Sequence, residues 1–140
     1  VVALTAALTL TPGDVDMLID RARGNAATQN YAAAEADLTQ ALAQRPGATD
    51  VLVLRAAARR LDNNLQAAAT DVDQALSLTP NEPFALVERG AIRLARGDTS
   101  GARADWVAVA RIVGEVDPDH PQALALQDAQ RSLEALDVEQ

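Results

Sequence analysis

Few side chains in this 140-residue sequence could attack a bond, trade a proton near neutral pH or hold a metal. There is no cysteine, no lysine and a single histidine. His120 stands with Asp117 and Asp119 around Pro118, the one place where metal-ligating residue types gather. Hard cations take about six to eight oxygen ligands and zinc about three or four ligands rich in nitrogen or sulfur. This set falls short of both and reads as a solvated turn whose acids cap a helix. One histidine in a turn cannot complete a Ser-His-Asp set, and no glycine-rich phosphate loop is present. No catalytic residue, metal or cofactor is therefore expected, and the sequence does not read as an enzyme. The charge pattern is more regular. Arg21, Arg55 and Arg89 recur every 34 residues, and so do Asp37, Asp71 and Asp105. The two ladders predict ion pairs between helices, within a unit or to the next. Half exposed, each is worth about 0–1 kcal/mol, although such pairs can set register. The alternative reading makes the three arginines a ligand-binding row.

The elements that position these residues follow from composition and period. Ala, Leu and Val dominate, Trp, Tyr and Phe occur once each, and proline is confined to candidate boundaries, a balance that favours helices. A chain of this length is one domain's worth and buries about two thirds of its unfolded surface. The formal charge of −8, from twenty acids against twelve bases, repels phosphate, so nucleic acid and anionic membranes are not expected partners. The all-arginine basic set, with the Ala and Asp bias, suggests a GC-rich bacterial genome, which is a statement about coding. Without cysteine the redox compartment stays open, and bacterial cytoplasm and periplasm remain equal readings.

Small residues repeat at the same interval: Ala22, Ala56 and Gly90; Ala34, Ala68 and Ala102; with Pro12, Pro46 and Pro80 between. Self-similarity at this period means a stack of supersecondary units rather than one closed globule. Three units are expected, at 14–47, 48–81 and 82–117. Each holds two short helices, in the second unit Asp50 to Leu61 and Leu65 to Leu78. Asn30, Asn64 and Asp98 are placed to N-cap the second helix of each pair. Pro46 and Pro80 stop theirs, since an internal proline costs about 3 kcal/mol. The turns are short enough only for antiparallel hairpins. Residues 1–12, with the apolar run Val1 to Leu10, read as the second helix of a truncated repeat, because Leu4 and Ala7 sit one period before Leu38 and Ala41; the alternative is a targeting remnant, against which stand the missing basic start and the short span. A start on Val is expected of a piece of a longer protein. At the other end a helix over 121–137 carries Leu126, Ala129, Leu133 and Leu136 on one side and reads as the cap that a stacked array needs. Four extra residues before Pro118 predict a second helix one turn longer in the third unit. Trp106 and Tyr31 are expected in the core.

The residues at this spacing resemble the tetratricopeptide repeat family. The first unit supplies Leu18, Arg21-Ala22, Asn25, Ala34, Leu38 and Pro46; the second Leu52, Arg55-Ala56, Arg59, Ala68, Val72 and Pro80; the third Leu86, Arg89-Gly90, Arg93, Ala102 and Trp106, with Gly114 where proline is due. The departures are the missing aromatics and the arginines where leucine is usual. The resemblance implies an all-α, right-handed superhelical stack of antiparallel helix pairs, an α-solenoid of three full repeats with an N-terminal half repeat and a C-terminal capping helix. It also implies a concave groove lined by the first helices. Carried over by spacing, Ile19, Val53 and Val87 form one row; Arg23, Ala57 and Ala91 the next; Asp16, Asp50 and Phe84 lie one turn earlier; Ala26, Arg60 and Leu94 one turn later; Asp20, Leu54 and Glu88 flank the first row. The binding set is thus Ile19, Arg23, Val53, Arg60, Phe84, Val87, Glu88 and Leu94. One subclass holds the C-terminal carboxylates of chaperones with Lys, Asn and Arg. The corresponding residues here, Asp16, Ile19, Asp20, Leu54, Phe84 and Glu88, hold no carboxylate, and three repel one.

The expected function is a noncatalytic protein-interaction scaffold that takes a partner helix or extended peptide in the groove. The alternatives are a self-assembling element, a homodimer through the N-terminal edge at Leu4 and Leu8 or through the groove, and an accessory domain of a larger protein.

Overall fold

The computed structural model describes residues 14–114 and 116–139, in which seven helices and no strand occur. They are α1 (Val15–Ala27), α2 (Tyr31–Gln44), α3 (Thr49–Leu61), α4 (Leu65–Leu78), α5 (Pro83–Ala95), α6 (Thr99–Val113) and α7 (Ala123–Glu139). The chain divides into two compact units between Leu78 and Thr79. In the first, each helix packs on the next, from α1 to α4; in the second, α5 packs on α6, α6 on α7, and α5 also meets α7. The expectation for Val1 to Leu10 lies outside the described residues.

Each helix pair is closed by the same turn. Gln29, Asn63 and Gly97 adopt positive φ of 63°, 61° and 87°. The next amide in each case, Asn30, Asn64 or Asp98, bonds the carbonyl five residues back on Asn25, Arg59 or Arg93 at 2.7–2.8 Å. The amides of Gln29, Asn63 and Gly97 bond Ala26, Arg60 and Leu94 at 2.9–3.0 Å. This is a Schellman ending, which satisfies carbonyls that a helix C-terminus otherwise leaves open. Only Gly97 takes the left-handed conformation without the penalty a Cβ brings.

The starts of the helices are less uniform. Asp98 Oδ1 accepts from Gly101 N at 2.9 Å, as expected of a cap. Asn30 makes no side-chain cap bond, although its carbonyl accepts the first helical amide. The Asn64 carbonyl does the same for Ala68. Asp14 and Glu82, at the starts of α1 and α5, accept from Met17 N and Ala85 N at 3.1 and 2.8 Å. The one-turn extension expected for α6 does not occur. That helix has 15 residues against 14 in α2 and α4, and it stops at Gly114, whose φ of 65° and ψ of −152° suit glycine almost alone. The extra residues run into the turn before α7.

Small residues let the backbones approach. Ala22, Ala34, Ala41, Ala56, Ala68, Ala75 and Ala102 are all 0–1% exposed. At the third pair the packing changes partners. Trp106 takes the place of Leu38 and Val72, and its ring lies over Gly90, where an added Cβ would come within 2.7 Å of Trp106 Cε2. The indole nitrogen donates to the Val87 carbonyl at 3.2 Å, so the buried N–H is satisfied. Tyr31, expected in the core, is only half-buried. In α7, Ala123, Ala125, Ala129 and Leu136 are buried, Leu126 and Leu133 are half-buried, and Leu124 is exposed.

Candidate functional site

The two charge ladders meet inside each helix pair. Arg21 on α1 reaches Asp37 on α2, with Nε 3.0 Å from both carboxylate oxygens and Nη2 on Oδ1. Arg55 grips Asp71 through Nε–Oδ2 at 2.9 Å and Nη2–Oδ1 at 2.7 Å. Arg89 and Asp105 repeat the arrangement at 2.8–3.2 Å. The carboxylates are 1–4% exposed and fully engaged, which a buried charge requires. The Asp37 hydrogen bond holds the Arg21 guanidinium above its ordinary pKa, against the lowering effect of burial.

A second donor completes each node, one the sequence reading did not assign. Arg59 Nη1 bonds Asp71 Oδ2 at 2.9 Å and Arg93 Nη1 bonds Asp105 Oδ2 at 3.0 Å. In the first pair Asn25 Nδ2 takes that place on Asp37 Oδ2 at 3.1 Å. The signal was present: positions 25, 59 and 93 share the 34-residue spacing and follow the first arginines by one helical turn. Arg59 also bonds Glu35 on α2 at 2.9 Å, and Arg55 reaches Thr39 at 3.3 Å, so these arginines tie the first pair to the second. The arginine row is thereby consumed by structure. Asp117 and His120 are likewise occupied, accepting backbone amides from Asp119 and Gln122 at 3.0 and 3.1 Å. Among the described residues no group of three His, Cys, Asp or Glu could hold a metal ion, and no helix is long and apolar enough to cross a membrane.

The residues expected to face a partner differ in what they offer. In the first unit Ile19 and Val53 are each 9% exposed and pack in the core, whereas Arg23 is exposed. Arg60 is half-buried and already partnered. Arg23 and Ala26 on α1 and Leu54, Ala57 and Leu61 on α3 line an apolar cleft of about 80 Å³, floored by Ala22, Ala34 and Leu38. Leu61, 48% exposed, was missed in the sequence reading, although positions 50, 54, 57 and 61 make one stripe at helical spacing. In the second unit α5 carries Phe84 and Val87 half-buried, Leu94 37% exposed, and Glu88 buried and partnered.

Neither a protein-family model nor a curated protein matches the sequence. Solved structures do. The TPR domain of Sgt2 from Aspergillus fumigatus is similar over 88% of this chain and 81% of its own, at a TM-score of 0.68 and 25% identity. The first TPR of Spaghetti (RPAP3), bound to the HSP90 peptide SRMEEVD, covers 86% of this chain and 93% of its own, at 0.65 and 21%. The chain has the fold of a tetratricopeptide-repeat domain. The type III secretion translocator chaperone SycD of Yersinia enterocolitica extends the likeness, over 86% and 88% of the two chains at a TM-score of 0.74 and 13% identity. In this fold the Asp–Arg nodes occupy one helix–helix seam of each pair. The first-helix cleft of the first unit is open and lined by apolar side chains.

Proposed function

We propose that this protein is a noncatalytic scaffold whose first-helix faces hold a helical or extended segment of another protein. The observation that carries this reading is the cleft between α1 and α3, apolar and already formed, with Leu54, Ala57 and Leu61 on one wall and the stem of Arg23 on the other. Burying apolar side chains of a partner there gains about 25 cal/mol per Å², less the cost of ordering both sides, so modest affinity is expected. The structural neighbours support a protein ligand in general. A ligand like the acidic HSP90 peptide seen on RPAP3 fits this chain poorly, because Asp16 and Asp20 are exposed on α1 where the resemblance places carboxylate-holding residues.

Site-specific photo-crosslinking in the source cells tests the reading. A photoreactive residue at Leu54 or Leu61 is expected to capture the same protein, and one at Ala36 or Gln40, exposed on α2 away from the cleft, is not. Capture from the α2 positions alone, or equally from both faces, overturns the assignment.

A further inference from the structure

The cleft of the first unit carries a charge arrangement that the rest of the molecule does not use. Asp16 and Asp20 are exposed and lie one turn apart on the stripe of α1 that continues to Arg23. On α3, Asp50 is exposed and lies one turn before Leu54, on the stripe that continues through Ala57 to Leu61. So the N-terminal ends of both stripes are acidic and their C-terminal ends line the apolar cleft. Asp16 and Asp50, in first turns, also complement their helix dipoles. Asp20 has no such role. It stands mid-helix, makes no hydrogen bond or ion pair with any described residue, and repels Asp16 across an i,i+4 spacing that costs about 0.2–0.5 kcal/mol. Arg21, Arg55, Arg59 and Arg60 are engaged elsewhere, while Arg23, on the same stripe as Asp20, makes no ion pair with a described residue.

The cleft is small, about 80 Å³, against the roughly 150 Å³ of a cavity that holds a benzene ring. Its lining is aliphatic, built of Ala, Leu and the stem of Arg23, and a compact aliphatic side chain is the anchor that matches it.

Building on the reading of this face as a partner surface, we propose that it recognises a basic-aliphatic protein segment. A Leu, Ile, Val or Met side chain seats in the cleft, and an Arg or Lys about one helical turn away lies against Asp16, Asp20 and Asp50. The cation neutralises the repulsion between Asp16 and Asp20, and the net charge of −8 steers it in.

Selection of a random 12-residue peptide library displayed on phage against the intact 140-residue chain tests this. Enriched peptides are then measured by fluorescence anisotropy on the parent and on two folded variants, matched by thermal melt. Ala57→Leu fills the cleft, and Asp16→Lys with Asp20→Lys inverts the acidic end on an exposed surface. The expected result is a consensus with one aliphatic anchor and a nearby cation. Its binding falls about tenfold or more in Ala57→Leu and by several-fold in the lysine variant, the second loss shrinking as salt rises. Peptides anchored by Phe or Trp, or carrying acids beside the anchor, but still lost in Ala57→Leu, overturn the basic-aliphatic assignment while leaving the partner face in place. Peptides indifferent to Ala57→Leu, or no enrichment at all, overturn both.

Discussion

The pair α1–α2 and the pair α5–α6 are two solutions to one packing problem. Both cross a small residue over a larger one, both bury an aspartate under an arginine, and both close with a Schellman turn. In α1–α2 the corresponding buried residues are Ala22 and Leu38, the second donor to the aspartate is Asn25, the left-handed residue is Gln29, and Asn30 makes no side-chain cap bond. In α5–α6 the crossing is Gly90 under Trp106, the second donor is Arg93, the left-handed residue is Gly97, and Asp98 caps its helix. The period dictates positions, not individual residues. Glycine appears where its partner grew to tryptophan.

The largest effect is expected at the nodes. Asp71 meets two arginines that are 15% and 17% exposed, whereas the arginines on Asp105 are 31% and 36% exposed. Asp71→Ala should cost about 3–4 kcal/mol, because it leaves poorly hydrated Arg55 without a counter-charge and Arg59 with Glu35 alone, and Asp105→Ala about 1–2 kcal/mol, because water reaches its pair. Urea titrations of the two variants decide it; equal losses would show that exposure does not grade the nodes. A middling effect is expected at the crossing. Gly90→Ala should destabilise by about 1–3 kcal/mol through its clash with Trp106. Adding Trp106→Leu, which recreates the α1–α2 combination, should recover part of it, and a double-mutant cycle reads the coupling. Additive losses would break the comparison. The smallest effect has the opposite sign. Gln29→Gly should raise stability by about 1 kcal/mol, since it relieves a positive φ that Gly97 already handles, and thermal melts should shift upward. No gain would mean the Gln29 conformation is unstrained.

Much of this was legible in spacing. The helix pairs, the small crossing residues and the Arg21–Asp37 ladder with its copies all repeat at one interval, and the interval alone brings them to equivalent places. The second donors Asn25, Arg59 and Arg93 were visible at the same spacing but differ in type, so a residue-by-residue reading passed them over. The length of α6 was misjudged because extra residues before Pro118 can extend a helix or a turn equally. Gly114, at a φ closed to most residues, decided for the turn. Phe84 and Leu94 are easily assigned to a face, but how much of Ile19 and Val53 stays exposed is not a property of their own helix. Both fall to 9% in the folded chain.

By itself the order of residues determined the all-α repeat, the closing turns and the charges that must find each other, since these depend on local propensity and on a period set by the chain. Only the tertiary structure decided which charges remain unspent and where apolar surface stays open. Asp20 and Asp71 are the same residue type on amphipathic helices, yet one stands exposed without an ion pair among the described residues and the other is 1% exposed under two arginines. Burial and pairing are set by what a second helix brings within a few ångströms, and no single helix contains that information.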